Sequence, residues 1–159
     1  MLALTLRLGG VELVSRALGV QAEAVKDLTP AWEQIIERFK AAERYAFTRE
    51  GAVGDMPSWA PLAESTLRSK VRKGQSTKVL VATGRMREAL TGGAGFYSKV
   101  RPLQLEIGTD NEVWEYHQYG TKHMPARPPV RVSESFKKEV MRAIHRHIVK
   151  SGQFVRENL

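Results

Sequence analysis

The stretch FYSKVRPLQLEIGT, residues 96–109, decides the fold class. In its second half Leu103, Leu105 and Ile107 alternate with Gln104, Glu106 and Gly108, the two-residue period of a strand that buries one face. In its first half Phe96 to Arg101 forms another short run, and Arg101-Pro102 supplies the break at which the chain folds back as a β-hairpin. A third strand is legible far upstream. There Leu2, Leu4, Leu6 and Leu8 alternate with Ala3, Thr5 and Arg7 until Gly9-Gly10 stops the pattern. Together these strands predict a small, mainly antiparallel sheet.

Between the strands the apolar spacing turns helical. Val11, Val14, Ala17 and Leu18 mark a first piece, with Gly19 as its weak point. Trp32, Ile35, Ile36, Phe39, Ala42 and Ala46 mark a second, with Thr29 read as its N-cap and Pro30 as its first helical residue. The two pieces predict one long, bent N-terminal helical region that carries the main packing face, with Trp32 and Phe39 in the core. Downstream, Gly51 to Ser58 reads as loop, and Ser65 to Lys73 as a helix with a strongly basic face. Gly74-Gln75-Ser76-Thr77 reads as a mobile connector. Thr83 is expected to cap a short helix over Gly84 to Leu90, and Gly92-Gly93-Ala94-Gly95 reads as a flexible linker. Glu112 to Tyr119 predicts a helical turn or two ending at Gly120. The proline-dense stretch His123 to Val130 is extended, because each proline disfavours helix before it. Ser133 caps a final helix in which Phe136, Val140, Ile144 and Ile148 share a face. This order predicts an α+β fold, a small mainly antiparallel sheet packed against a long N-terminal helical region and a C-terminal helix. One domain is expected over residues 1–152, with residues 153–159 a frayed tail.

A chain of 159 residues buries enough surface to fold without disulfides or metal. It contains no cysteine, which excludes thiol catalysis and cysteine-based zinc sites and fits a reducing compartment. No apolar run is long enough for a transmembrane helix, and Met1 to Leu8 lacks the features of a secretory signal, so a cytoplasmic origin is the default expectation. The net charge of +8 is unevenly placed. Residues 65–101 carry nine basic and one acidic side chain, and residues 122–156 nine and two, whereas Pro102 to Thr121 carries four acids and no Lys or Arg. Basic blocks flanking an acidic strip fit contact with nucleic acid. They fit somewhat better the head-to-tail pairing of identical subunits, basic patch against acidic patch.

Chemistry-bearing patterns are sparse. Zinc needs three or four converging ligands, whereas His145 and His147 stand two apart on a helix and face different directions, and a glycine separates His117 from His123. No serine sits in a nucleophile-elbow sequence, and Gly92 to Gly95 lacks the lysine of a phosphate-cradling loop. No enzyme activity, metal or cofactor is expected. For nucleic acid the best segment is Leu67 to Gly74, whose Arg68, Lys70, Arg72 and Lys73 fit contact with phosphate or an acidic partner. A solvated helix face is the simpler reading, since no aromatic residues interleave with the charges as single-strand binders require.

Four segments in fixed order carry a resemblance. They are Trp59-Ala60-Pro61-Leu62 followed by Thr66 and Lys70, then Val79-Leu80-Val81-Ala82-Thr83-Gly84-Arg85-Met86. Next come Ile107-Gly108-Thr109 with Tyr116-His117-Gln118-Tyr119-Gly120-Thr121, and finally Met124-Pro125-Ala126-Arg127-Pro128. This succession resembles the phage virion morphogenesis family, the tail-completion proteins of Mu-like phages. It departs from the family pattern at Trp114-Glu115-Tyr116 and at Pro129-Val130. The resemblance implies a non-enzymatic structural subunit of the virion, assembled in host cytoplasm. Such a subunit forms a ring, expected to be a hexamer, at the head-proximal end of the tail. There it completes the tail or joins it to the head. The implied partners are copies of itself, the tail tube and the head connector, with non-specific contact to DNA in the lumen and no membrane.

The residues read compatibly with that role. Pro125, Pro128 and Pro129 stiffen an extended arm at low entropic cost. Arg127 between prolines suits either a bidentate bond to a carboxylate or a loop-anchoring bond to backbone carbonyls. Trp59 is expected as a buried anchor for its loop, His117 as the maker of one structural hydrogen bond, and Tyr116 and Tyr119 as interface or loop-anchor positions. The competing function is a basic nucleic-acid-binding protein acting in phage DNA packaging; a hydrolase comes third.

Overall fold

The computed structural model describes residues 2–7 and 25–157. It confirms an α+β architecture with a three-stranded antiparallel sheet. Strand β1 is Leu2–Arg7, β2 is Phe96–Arg101 and β3 is Gln104–Thr109, in the order β1-β3-β2. The hairpin is tight: Arg101 pairs with Gln104 and Val100 with Leu105, which leaves Pro102 and Leu103 as the turn. On the other edge of β3, Leu4 pairs with Ile107. Leu105 and Ile107 are buried while Gln104 and Glu106 are half-buried, so the alternation read from the sequence sets the register.

Helix α1, Thr29–Thr48, supplies the core. Ala31, Trp32, Ile35, Ile36, Phe39 and Phe47 are buried along it at helical spacing. Its start lies one residue before the expected one. Leu28 is the N-cap and Thr29 the first helical residue, because Asp27 Oδ1 takes the Thr29 amide at 2.9 Å and leaves the threonine hydroxyl no capping role. The hairpin docks on this end of the helix. The carbonyl of Pro102 accepts both the Leu28 amide, at 2.9 Å, and the Trp32 indole N–H, at 3.2 Å. The expected first helical piece, Val11 to Leu18, lies outside the described residues.

Helix α2 is Glu64–Arg72, α3 is Arg85–Thr91, α4 is Val113–Tyr119 and α5 is Glu134–Glu157. Helices α3 and α5 both pack on α1. The expected cap of α5 is present: Ser133 Oγ accepts the Phe136 amide at 3.1 Å, and Phe136 then meets Phe39 edge-on at 6.2 Å. Two expectations need correction. Gly84, with φ of 90°, caps α3 in place of Thr83, and Gly92 to Gly95 is a pinned turn and not a linker. The Asp110 amide donates to the Gly95 carbonyl, and Gly95 takes a φ of +85°, which glycine adopts without strain.

Candidate functional site, an apolar groove framed by four loop segments

The loops that carry the four segments contain little regular structure, so side chains fix them to one another. Trp59 is buried; its indole N–H donates to the Pro128 carbonyl at 2.8 Å and its ring meets Phe47 edge-on at 5.3 Å. Arg127 is 5% exposed. Its Nε donates to the Ala60 carbonyl at 2.6 Å and one Nη to the Pro61 carbonyl at 2.7 Å, so within the chain it anchors a loop, and among the described residues it meets no carboxylate. Its backbone amide also donates to the His117 carbonyl at 2.7 Å. Trp59 and Arg127 thus bind the first and fourth segments together from opposite ends.

Lys70 does not belong to the basic surface on which the sequence placed it. Its ammonium turns inward from α2 and donates to the carbonyls of Lys78 and Val81 at 2.7 and 2.8 Å. Burial holds its pKa below the ordinary lysine value, with Glu50 opposing the shift. The reason is topological: the Val79 to Met86 segment runs beside α2 with carbonyls that no strand pairs, and Lys70 is the donor within reach. The other three are exposed, Arg68 in an ion pair with Glu64 at 3.0 Å, and Arg72 and Lys73 at the end of α2.

The sequence offered no signal for three further anchors, because each acts across the fold. Glu50 Oε1 accepts the Val79 amide at 2.8 Å. The Gln118 amide bonds Val130 in both directions, at 3.2 and 3.4 Å. Arg131 donates to the carbonyls of Pro57, at 2.9 Å, and Gly51. Near Arg131 lies Glu43, buried in α1 with Oε2 unpartnered among the described residues. Burial pushes its pKa up to about 8, against the pull of Arg131.

Held in this way, the four segments enclose an open groove of about 600 Å³. Leu62, Leu80, Met86, Val113, Met124 and Pro125 make its apolar lining. Among the described residues its charged and titratable lining is wholly basic: Lys70, Arg85, His117, His123 and Arg127. His117 is half-buried with Nδ1 unpartnered among the described residues, and burial, then Arg127, lower its pKa and so favour the uncharged ring. The expected hydrogen bond of the His117 ring is not formed among the described residues; its backbone carbonyl accepts the Arg127 amide instead. Beside the groove, α4 carries exposed Val113, Tyr116 and Tyr119 above the buried Trp114, which Tyr119 meets edge-on at 6.3 Å. Pro125 is exposed on the arm, whereas Pro128 is half-buried. Among the described residues no cluster of three or more His, Asp or Glu could hold a metal ion.

The arrangement is that of a small α+β protein whose polar loop groups hold a preformed apolar groove beside an exposed aromatic ridge. A family model matches residues 10–149, and the chain belongs to the phage virion morphogenesis family. Its role is therefore structural, in the assembly of the phage virion, and the virion is its location. A comparison with curated proteins finds no match, and a comparison with solved structures finds none. No helix of the described residues is long and apolar enough to cross a membrane.

Proposed function

We propose that this protein is a ring-forming subunit, six copies to the ring, at the head-proximal end of the phage tail, where it completes the tail or joins it to the head connector. One observation carries this reading. The segments that mark the family converge on a single open groove, and their polar atoms are spent on holding that groove in shape. A surface organised at this cost and left apolar serves recognition, since a preformed site loses little entropy on docking. The exposed tyrosines next to it are residues that contribute strongly at protein interfaces. Its partners are then other copies of itself, the tail tube and the head connector, with DNA passing through the lumen. Native mass measurement and electron microscopy of purified particles test the proposal. The expected result is a closed ring of this chain at the head–tail junction; particles that lack the chain would refute it.

The competing reading, nucleic-acid binding during packaging, draws on the exposed Arg72 and Lys73 beside Arg68. It requires affinity for duplex DNA that falls steeply with salt. With Lys70 turned inward and Arg68 paired to Glu64, α2 offers less positive charge than its sequence indicates.

A further inference from the structure

The groove needs an occupant, and the chain itself carries a matching one. Among the described residues eight large hydrophobic side chains are exposed, and two of them, Tyr116 and Tyr119, stand on the outer face of α4. Glu112 and Glu115 are exposed among them. The groove is the complement: an apolar floor, Arg85 and His123 exposed at its edge, and no carboxylate in its lining among the described residues. We infer that the outer face of α4, Glu115 with Tyr116 and Tyr119, docks into the groove of a second copy of this chain, carboxylates toward Arg85 and His123.

The geometry of α4 gives the contact its direction. Val113 and His117 line the chain's own groove and Trp114 faces the core. At ~100° per residue, the mean direction of Glu115, Tyr116 and Tyr119 lies about 130° around the helix axis from that of Val113 and His117. Donor face and acceptor groove therefore look to different sides of the subunit. Two unlike patches that face apart make a heterologous, head-to-tail contact, the kind that closes into a ring. The sequence already separates the two charges, with four acids and no Lys or Arg in Pro102 to Thr121. Nucleic acid fits the groove poorly. Its floor is apolar, and Lys70 and Arg127 direct donors to backbone carbonyls. This inference rests on the ring reading and names the contact that builds the ring.

Two measurements on the full chain test it. The first replaces Tyr116, which is exposed, with a photo-cross-linking phenylalanine in assembled particles and maps the cross-linked peptide. Cross-links to residues 80–86 or 123–125 of another copy are expected. Cross-links to DNA, to a different protein or to another surface of this chain overturn the contact, as does their absence. The second is a charge exchange followed by sedimentation. Arg85→Glu and Glu115→Arg should each weaken self-assembly at least tenfold, and a chain carrying both should recover most of it. Assembly unchanged by the single substitutions overturns the α4–groove contact while the ring stands. A chain absent from particles and monomeric at every concentration overturns the ring itself.

Discussion

Replacing Arg127 with methionine keeps most of the side-chain volume and removes two charge-assisted hydrogen bonds, those to the Ala60 and Pro61 carbonyls at 2.6 and 2.7 Å. A hydrogen bond to a charged group contributes about 1.5–3 kcal/mol. Water reaches part of this region through the open groove and recovers some of the loss, so a net cost of about 3–4 kcal/mol follows. For a domain of this size each kcal/mol moves the midpoint by about 2–4 °C, so Tm should fall by roughly 6–16 °C. Thermal unfolding followed by circular dichroism measures this directly, with Arg72→Ala as the control, since exposed Arg72 should change stability by no more than ~0.5 kcal/mol. Because Arg127 also lines the groove, self-assembly should weaken at temperatures where the variant is still folded. A Tm within 2 °C of the parent (roughly 1 kcal/mol or less) would show that the two carbonyl bonds do not hold the loops, and the account of a preformed groove would fail with them.

Trp59→Phe keeps an aromatic ring against Phe47 but loses the indole bond to Pro128; denaturant titration should show a loss of about 1–2 kcal/mol. Glu43 gives a pH dependence of definite sign. Its folded pKa is raised, from 4.5 to about 8, so between those values the folded state holds a proton that the unfolded state has released. That contribution is complete below pH 4.5 and is lost as pH rises through 8, with a slope of up to about 1.4 kcal/mol per pH unit. Glu43→Gln should flatten the stability profile over that window and stabilise the protein at pH 8; an unchanged profile would mean that Glu43 is not the group responsible. Gly95→Ala puts a methyl group against Asp110 Oδ1 and the Ala89 methyl at a φ of +85°, and chemical unfolding should register a loss of about 2 kcal/mol. Gly74→Ala, at φ of +63° with open space around it, should cost about half as much.

What could be read from the sequence was whatever depends on near neighbours. The alternation in Leu103 to Ile107 predicts a strand because successive side chains point to opposite faces, and that holds wherever the strand is placed. The same locality explains why the buried face of α1 and the Ser133 cap of α5 were found where the sequence placed them. One reading of this kind slipped where a neighbouring group competed, as Asp27 did at the start of α1, and another where Gly84, at positive φ, took the cap read for Thr83.

The site was decided elsewhere. Arg127 reaches carbonyls 66 and 67 positions away, and Trp59 reaches one 69 away. Which of two roles Arg127 takes, and whether Lys70 faces water or the interior, depends on which unpaired carbonyls the docked loops bring within 3 Å. A loop has no period, and its side chains find partners only after the helices and sheet have packed. The sequence therefore determined the elements, the resemblance and the separation of charge. Tertiary structure alone decided that the four segments close around one groove, because buried carbonyls must find donors and the chain can meet that demand only in the folded state.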